Sequence, residues 1–229
     1  IDAGNPATVA TNETPPNGAR VNIGAYGGTP EASLSVTGAW LIAITINDGG
    51  VLRGTNTLRW IAGNLDSNDL VRLQYSLDYG TNWTTIASDL PAASQEYPWE
   101  SPVGVSSFFS LWRVVLQTNA LVQDQADGPF ALRNSALNFY VNDASTANGV
   151  FCSAIGAAGN SGLASNAPKD TIQGILDAYD TEGGDTIFVD TGLYALTADV
   201  RVIWSRGGDD SYGNLLIRGS TNASAGGSI

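Results

Sequence analysis

Asp185, Asp190, Asp199, Arg201 and Arg218 bring carboxylates and guanidiniums together in the C-terminal part of a 229-residue chain. A pair of carboxylates at the right separation can divide general acid and base work on a glycosidic bond. No pair among these shows such a spacing. The reading favoured instead is that Asp185 and Asp190 bound a strand and its turn, while Arg201 and Arg218 point outward from strands. Asp209-Asp210, within Arg206–Ser211, offers adjacent carboxylates for a Ca²⁺ ion, yet it lacks the alternating ligand pattern of a dedicated loop. A solvated turn is expected, and Ca²⁺ is the only ion left open. No histidine is present, which removes the usual neutral-pH base, the Ser-His and Cys-His couples and the commonest transition-metal ligand. Cys152 stands alone, so an intrachain disulfide and a cysteine-built zinc site are both excluded. It reads as a small buried hydrophobe.

The composition sets wider bounds. Hydrophobic residues make up 43% against 14% charged, with 27 glycines, which suits a turn-rich β-protein rather than a disordered one. A formal charge of −12 opposes the polyphosphate of nucleic acid. No apolar run reaches membrane-spanning length and no secretory leader precedes Ile1, so the chain is expected to be mature, trimmed or cut from something longer. Sequons at Asn12, Asn82 and Asn222 matter only where the source glycosylates.

Three textures follow one another along the chain. Residues 34–133 alternate apolar and polar at period two, interrupted by Gly, Asn, Asp and Pro clusters. Val71, Leu73 and Tyr75 are expected inward with Arg72 and Gln74 in water. Trp112, Val114 and Leu116 repeat the pattern around Arg113, and Leu58 and Trp60 around Arg59. With Leu41–Ile46, Trp83–Ile86, Tyr97–Trp99 and Phe130–Leu132, about seven strands fit in about 100 residues, the size of an immunoglobulin or fibronectin-III sandwich. The missing cysteine pair favours the fibronectin side. Trp60, Trp83 and Trp112 are expected to be buried. Surface aromatics such as Tyr79 and Tyr97 could stack on sugars, but core positions are the better expectation for most aromatics.

Within this segment Ser76-Leu77-Asp78-Tyr79-Gly80-Thr81-Asn82-Trp83 matches S-x-D-x-G-x-x-W and resembles the Asp-box of sialidase-type repeats. The resemblance implies a structural hairpin rather than a catalytic site, with Asp78 accepting turn N–H groups, Gly80 at positive φ and Trp83 folded back. Tyr97-Pro98-Trp99 and Asp127-Gly128-Pro129-Phe130 resemble a fibronectin-like module of bacterial surface proteins.

From residue 139 the chain resembles the N-terminal part of right-handed parallel β-helix proteins of the pectate-lyase-like superfamily. The likeness rests on Phe139-Tyr140-Val141-Asn142, Ala167-Pro168-Lys169-Asp170-Thr171-Ile172-Gln173, Gly184-Asp185-Thr186-Ile187-Phe188-Val189 and Gly192-Leu193-Tyr194. Pro168 would open a helix with Ile172, Ile175, Leu176 and Tyr179 on one face, stopped by Gly183 and Gly184. The resemblance implies that this helix plugs a solenoid end, ahead of rung strands at Thr186–Val189, Val200–Trp204 and Leu215–Ile217. Residues 1–33, with one short strand around Val21, Ile23 and Ala25 and the Asn22-Ile23-Gly24-Ala25-Tyr26 run, resemble the opposite end of such a solenoid. Lyases of this superfamily use Asp-bound Ca²⁺ with an Arg or Lys base, and hydrolases use clustered Asp.

The fold class expected is therefore mostly β: a fibronectin-III/Ig-like sandwich over 34–133, the C-terminal end of a β-solenoid over 1–33, and the N-terminal cap and first rungs of another over 134–229. Ile1, Val21, Ile23 and Tyr26 of one copy would meet Leu215, Ile217 and Ile229 of the next. This implies a non-enzymatic structural repeat, self-assembling head to tail in an extracellular or cell-surface bacterial filament, as separate subunits or as one long polypeptide. No cofactor, nucleic acid or membrane insertion is expected. The alternative is a carbohydrate-active β-helix fragment or carbohydrate-binding adhesin with a polysaccharide as partner.

Overall fold

The computed structural model describes residues 4–5, 7–17, 19–34, 36–47, 49–196, 198–203, 208–209 and 212–221. The chain is mostly β, with one α-helix and several sheets among these residues. In order they are β1 (Trp40–Ala43), β2 (Val51–Leu52), β3 (Thr55–Gly63), β4 (Leu70–Ser76), β5 (Thr84–Pro91), β6 (Glu96–Glu100), β7 (Ser106–Leu116), β8 (Gln123–Gln125), β9 (Phe130–Arg133), β10 (Asn138–Val141), α1 (Ile172–Ala178), β11 (Thr186–Val189), β12 (Gly208–Asp209), β13 (Gly213–Asn214) and β14 (Leu216–Gly219).

The first nine strands form a three-stranded sheet, β1-β3-β6, and a six-stranded sheet in the order β2-β9-β7-β4-β5 with β8 on β7. Leu58 and Trp60 from the first and Leu73, Trp112 and Val114 from the second belong to one buried apolar cluster. Tyr75 and Trp99 bring the sheets together with ring centroids 5.3 Å apart. The buried indole N–H groups are satisfied, Trp60 donating to Ala92 O at 3.1 Å and Trp112 to Thr45 O at 2.7 Å, as burial of an aromatic with a polar handle requires.

Period two holds along β3 and in β4, where Val71, Leu73 and Tyr75 belong to or pack against the apolar cluster. Gln74, expected in water, is buried, and Tyr75 is half-buried. Gln74 stays on the outward face, opposite Arg113, whose Nε donates to its side chain at 2.9 Å. The first strand ends at Ala43 rather than Ile46, because Ile46 has φ 55° and Thr45 uses its hydroxyl to accept Arg59 N at 2.8 Å. Trp60 and Trp112 are fully buried, whereas Trp83 is half-buried just ahead of β5.

Beyond residue 134, β10, β11 and β14 form a parallel sheet, beside a short antiparallel pair of β12 and β13. Phe139, Ile187 and Ile217 align across β10, β11 and β14, and with Val141, Val189, Ile175 and Leu176 they make or border a second apolar cluster. Its helix starts later than Pro168. Lys169 N donates to Tyr140 O and Lys169 O accepts Asn142 N, both at 2.9 Å, so this backbone is held beside β10 before a helix can begin. Thr171 is the N-cap, accepting Gly174 N at 3.0 Å. The helix also stops before Gly183: Tyr179 is extended and packs between Phe108 and Phe139 at 4.8 and 5.2 Å. Gly183 and Gly184 serve the turn into β11, where a Cβ on Gly183 would lie 2.2 Å from Gly213 O.

Residues 200–203 are not a strand; Arg201 N donates to the Gln173 side chain at 2.9 Å instead. Trp204 lies outside the described residues. Nor is there a strand at Val21, Ile23 and Ala25. The described residues of 4–34 are a run of turns around the buried Glu13 carboxylate, which accepts Asn22 N at 2.8 Å and Gly28 N at 2.7 Å. Those N–H groups are thereby withdrawn from any ladder.

Candidate functional site

Asp185 is fully buried at the start of β11, where it meets two arginines of the antiparallel sheets. Arg133, at the end of β9, donates from Nη2 to Asp185 Oδ2 at 2.6 Å and from Nη1 to Oδ1 at 2.8 Å. This is the bidentate fork that matches a carboxylate. Arg53, just after β2, adds a contact to Oδ1 at 3.3 Å and donates to Gly183 O at 2.7 Å. Leu137 N and Glu182 N complete the carboxylate's shell at 2.8 Å each. Burial, then repulsion from Arg133, lowers the Arg53 pKa, and Asp185 works against both. Arg53 also lies over Tyr212 at 4.9 Å.

Further hydrogen bonds lie nearby. Asn134 accepts Gly54 N at 3.1 Å and the Ser101 hydroxyl at 2.8 Å, and Asp180 accepts Gly50 N at 2.9 Å. The Asp185 group and the Asp180–Gly50 bond fasten the sheets of the first nine strands to the parallel ladder. A carboxylate so saturated has no lone pair directed at a substrate.

Asp190 has a different task. Its buried carboxylate accepts Val150 N at 2.6 Å, Phe151 N at 3.1 Å, Cys152 N at 2.7 Å and Thr191 N at 2.8 Å. Burial by itself would raise its pKa, but these four donors outweigh that and hold it low. The result is an anchor that folds the loop after β10 against the end of β11. Beside it the Cys152 thiol is pushed up to about 12, by burial first and then by the Asp190 charge. Such a thiol is not a nucleophile at neutral pH.

The Asp-box-like octet is a closed turn after β4. Asp78 accepts Asn82 N at 2.8 Å, Asn82 Nδ2 at 2.6 Å and the Ser76 hydroxyl at 2.7 Å, while Ser76 Oγ accepts Gly80 N at 2.9 Å. Asn82 first, through backbone and side chain, and then Ser76 pull the Asp78 pKa down to about 2. Gly80 takes φ 85°, with Trp83 packed 3.3 Å from where a Cβ would stand.

The other sequence candidates disperse. Asp199 and Arg201 are exposed, with Asp199 on the rim of an open cavity of about 390 Å³ beside α1. Arg218 sits 5.9 Å from the Phe151 and Phe188 rings. Tyr79 is exposed against Phe109 and Tyr97 is half-buried. Ile23 and Tyr26 are 72% and 65% exposed, Val21, Leu215 and Ile217 are half-buried, and Ile1 and Ile229 lie outside the described residues. Asp210 and Asn222 lie outside them too. Among the described residues no group of three or more Cys, Asp or Glu could hold a metal ion, and no helix is long and apolar enough to cross a membrane.

Arg53, Arg133 and Glu13 escaped the sequence reading. Arg133 directly follows the apolar run Phe130–Leu132, and nothing in that position distinguishes a buried arginine from a solvated one. No protein-family model matches the chain, and the comparison with curated proteins finds no similar sequence.

Proposed function

We propose that the chain is a non-enzymatic structural module of an extracellular or cell-surface filament, in which a fibronectin-III/Ig-like sandwich over 34–133 is carried between pieces of parallel β-helix. Copies join head to tail, as subunits or as tandem repeats. The observation that carries this reading is the polarity of the parallel ladder. On the β10 side the edge is occupied: Val141 bridges Lys169, Tyr140 N donates to Gly162 O at 2.8 Å, and α1 packs Ile175 and Leu176 into the shared cluster. On the other side β14 pairs only with β11 among the described residues, and its Leu216 is 53% exposed. A ladder covered at one edge and open at the other accepts strands in one direction, and a contact of that kind does not close on itself.

Two further observations support it. Neither apolar cluster contains a described residue of 4–34, so Ile23 and Tyr26 of one copy are free to meet Leu215 and Ile217 of the next. The Arg133–Asp185–Arg53 group would transmit load between sandwich and ladder. For the sandwich itself the support is the apolar cluster shared by the two antiparallel sheets.

The experiment is assembly as a function of concentration, followed by sedimentation and electron microscopy. The parent chain should form linear oligomers, and Ile217→Asp should abolish them while the tryptophan fluorescence of the antiparallel part stays native. A monodisperse monomer at the highest attainable concentration would overturn the filament reading.

A further inference from the structure

The outer face of the six-stranded sheet carries two arginines that no carboxylate among the described residues answers. Arg72 in β4 and Arg113 in β7 lie on adjacent strands, Arg72 opposite Val115 and Arg113 opposite Gln74. Val115 is buried yet stands outside both apolar clusters, which puts it on this outer face, under the arginine stems. Arg113 is fixed from several sides. Its Nε donates to Gln74 at 2.9 Å, its Nη1 donates to Gln123 at 3.1 Å, and its guanidinium lies 4.1 Å from the centre of the Trp83 ring.

None of those partners is charged. The Arg72 side chain makes no hydrogen bond or ion pair among the described residues, and its Nε is buried without a partner. Burial first and the charge of Arg72 second lower the Arg113 pKa. The carboxylates on the adjoining strands are committed elsewhere. Asp89 in β5 is bonded to Ser88 at 2.8 Å and Gln117 at 3.2 Å, and Asp124 in β8 accepts Ala43 N at 2.8 Å. In a chain with 22 acidic and 10 basic residues, two neighbouring cations without a counter-charge are conspicuous. An oxyanion placed between them would gain charge-assisted hydrogen bonds from a guanidinium already held in position.

We propose that this face binds the oxyanion groups of an acidic polysaccharide, Arg72 and Arg113 together gripping a carboxylate or ester sulfate. The surrounding groups suit a sugar chain: Gln123 and Gln125 of β8 are exposed beside Arg113 and can bond hydroxyls. A polyphosphate of high linear charge is disfavoured by the −12 of the whole chain. This inference does not depend on filament assembly.

The test is calorimetric titration of the full chain at low ionic strength with polygalacturonate, its methyl ester, dextran sulfate and neutral dextran. Binding is expected for one or both polyanions, weakening as salt is added, and for neither neutral polymer; which polyanion binds identifies the group. Arg72→Gln, which removes no internal bond, should keep the parent melting temperature and weaken binding about tenfold, the loss of one charge-assisted contact. Arg59→Gln is the control, since Arg59 pairs with Glu96 on the other sheet at 3.3 Å. The proposal is overturned if neither polyanion binds, if the methyl ester binds as well as the acid, if Arg72→Gln binds like the parent, or if Arg59→Gln loses as much.

Discussion

Asp185 shows how differently one residue type behaves in different shells. With two guanidiniums and two backbone donors around it, removing its charge would strand two buried cations, so Asp185→Asn should cost about 3–5 kcal/mol. Denaturant unfolding of parent and variant measures this directly. Asp78 sits at the opposite extreme, fully exposed and held only by its turn. Its folded pKa, about 2 against the ordinary 3.8, means that the unfolded chain binds its proton first as the pH drops. Its contribution is complete above 3.8 and fades as the pH falls through about 2. Asp78→Asn should therefore flatten the acid limb of the stability profile in that window, read from melting temperatures across acidic pH. At Cys152, a thiol raised to about 12 should react with iodoacetamide at pH 8 far more slowly than a free cysteine. Native labelling as fast as labelling of the urea-unfolded chain would contradict the burial that raises it.

Elements inherit their limits from such residues. The 3.6-residue spacing of Ile172, Ile175, Leu176 and Tyr179 signals a helix, and α1 is there, but its start belongs to Lys169, whose backbone is bonded to Tyr140 and Asn142. The operative cap is thus Thr171, and Thr171→Ala should destabilise by about 1 kcal/mol through the lost bond to Gly174 N, measurable by thermal unfolding. Strand β4 teaches the same lesson for sheets. Val71, Leu73 and Tyr75 face the cluster as period two demands, and Gln74 lies on the other face yet is buried opposite Arg113, which donates to it. Burial of that kind leaves no trace in the strand's own hydropathy, since it is decided by the side chain opposite on the partner strand.

For the whole molecule, local order could be read directly. The alternation around Trp60 and Trp112, the Ser76–Trp83 turn and the strand Thr186–Val189 all rest on near neighbours, where side-chain size, glycine φ and short-range bonds act within a few residues. What lay beyond reach were the long-range bonds. Arg53 and Asp185 are 132 residues apart and Arg133 and Asp185 are 52 apart, and no local pattern marks an arginine that will be desolvated by a distant carboxylate. The expected strand at Val21, Ile23 and Ala25 was lost to the same kind of interaction, because Glu13 takes the N–H groups that a ladder would need. Sequence alone thus determined a mostly β chain with one amphipathic helix and no histidine chemistry. The tertiary structure decided which charges are buried and which arginines stand unanswered, because desolvation and counter-charge depend on groups that only folding brings together.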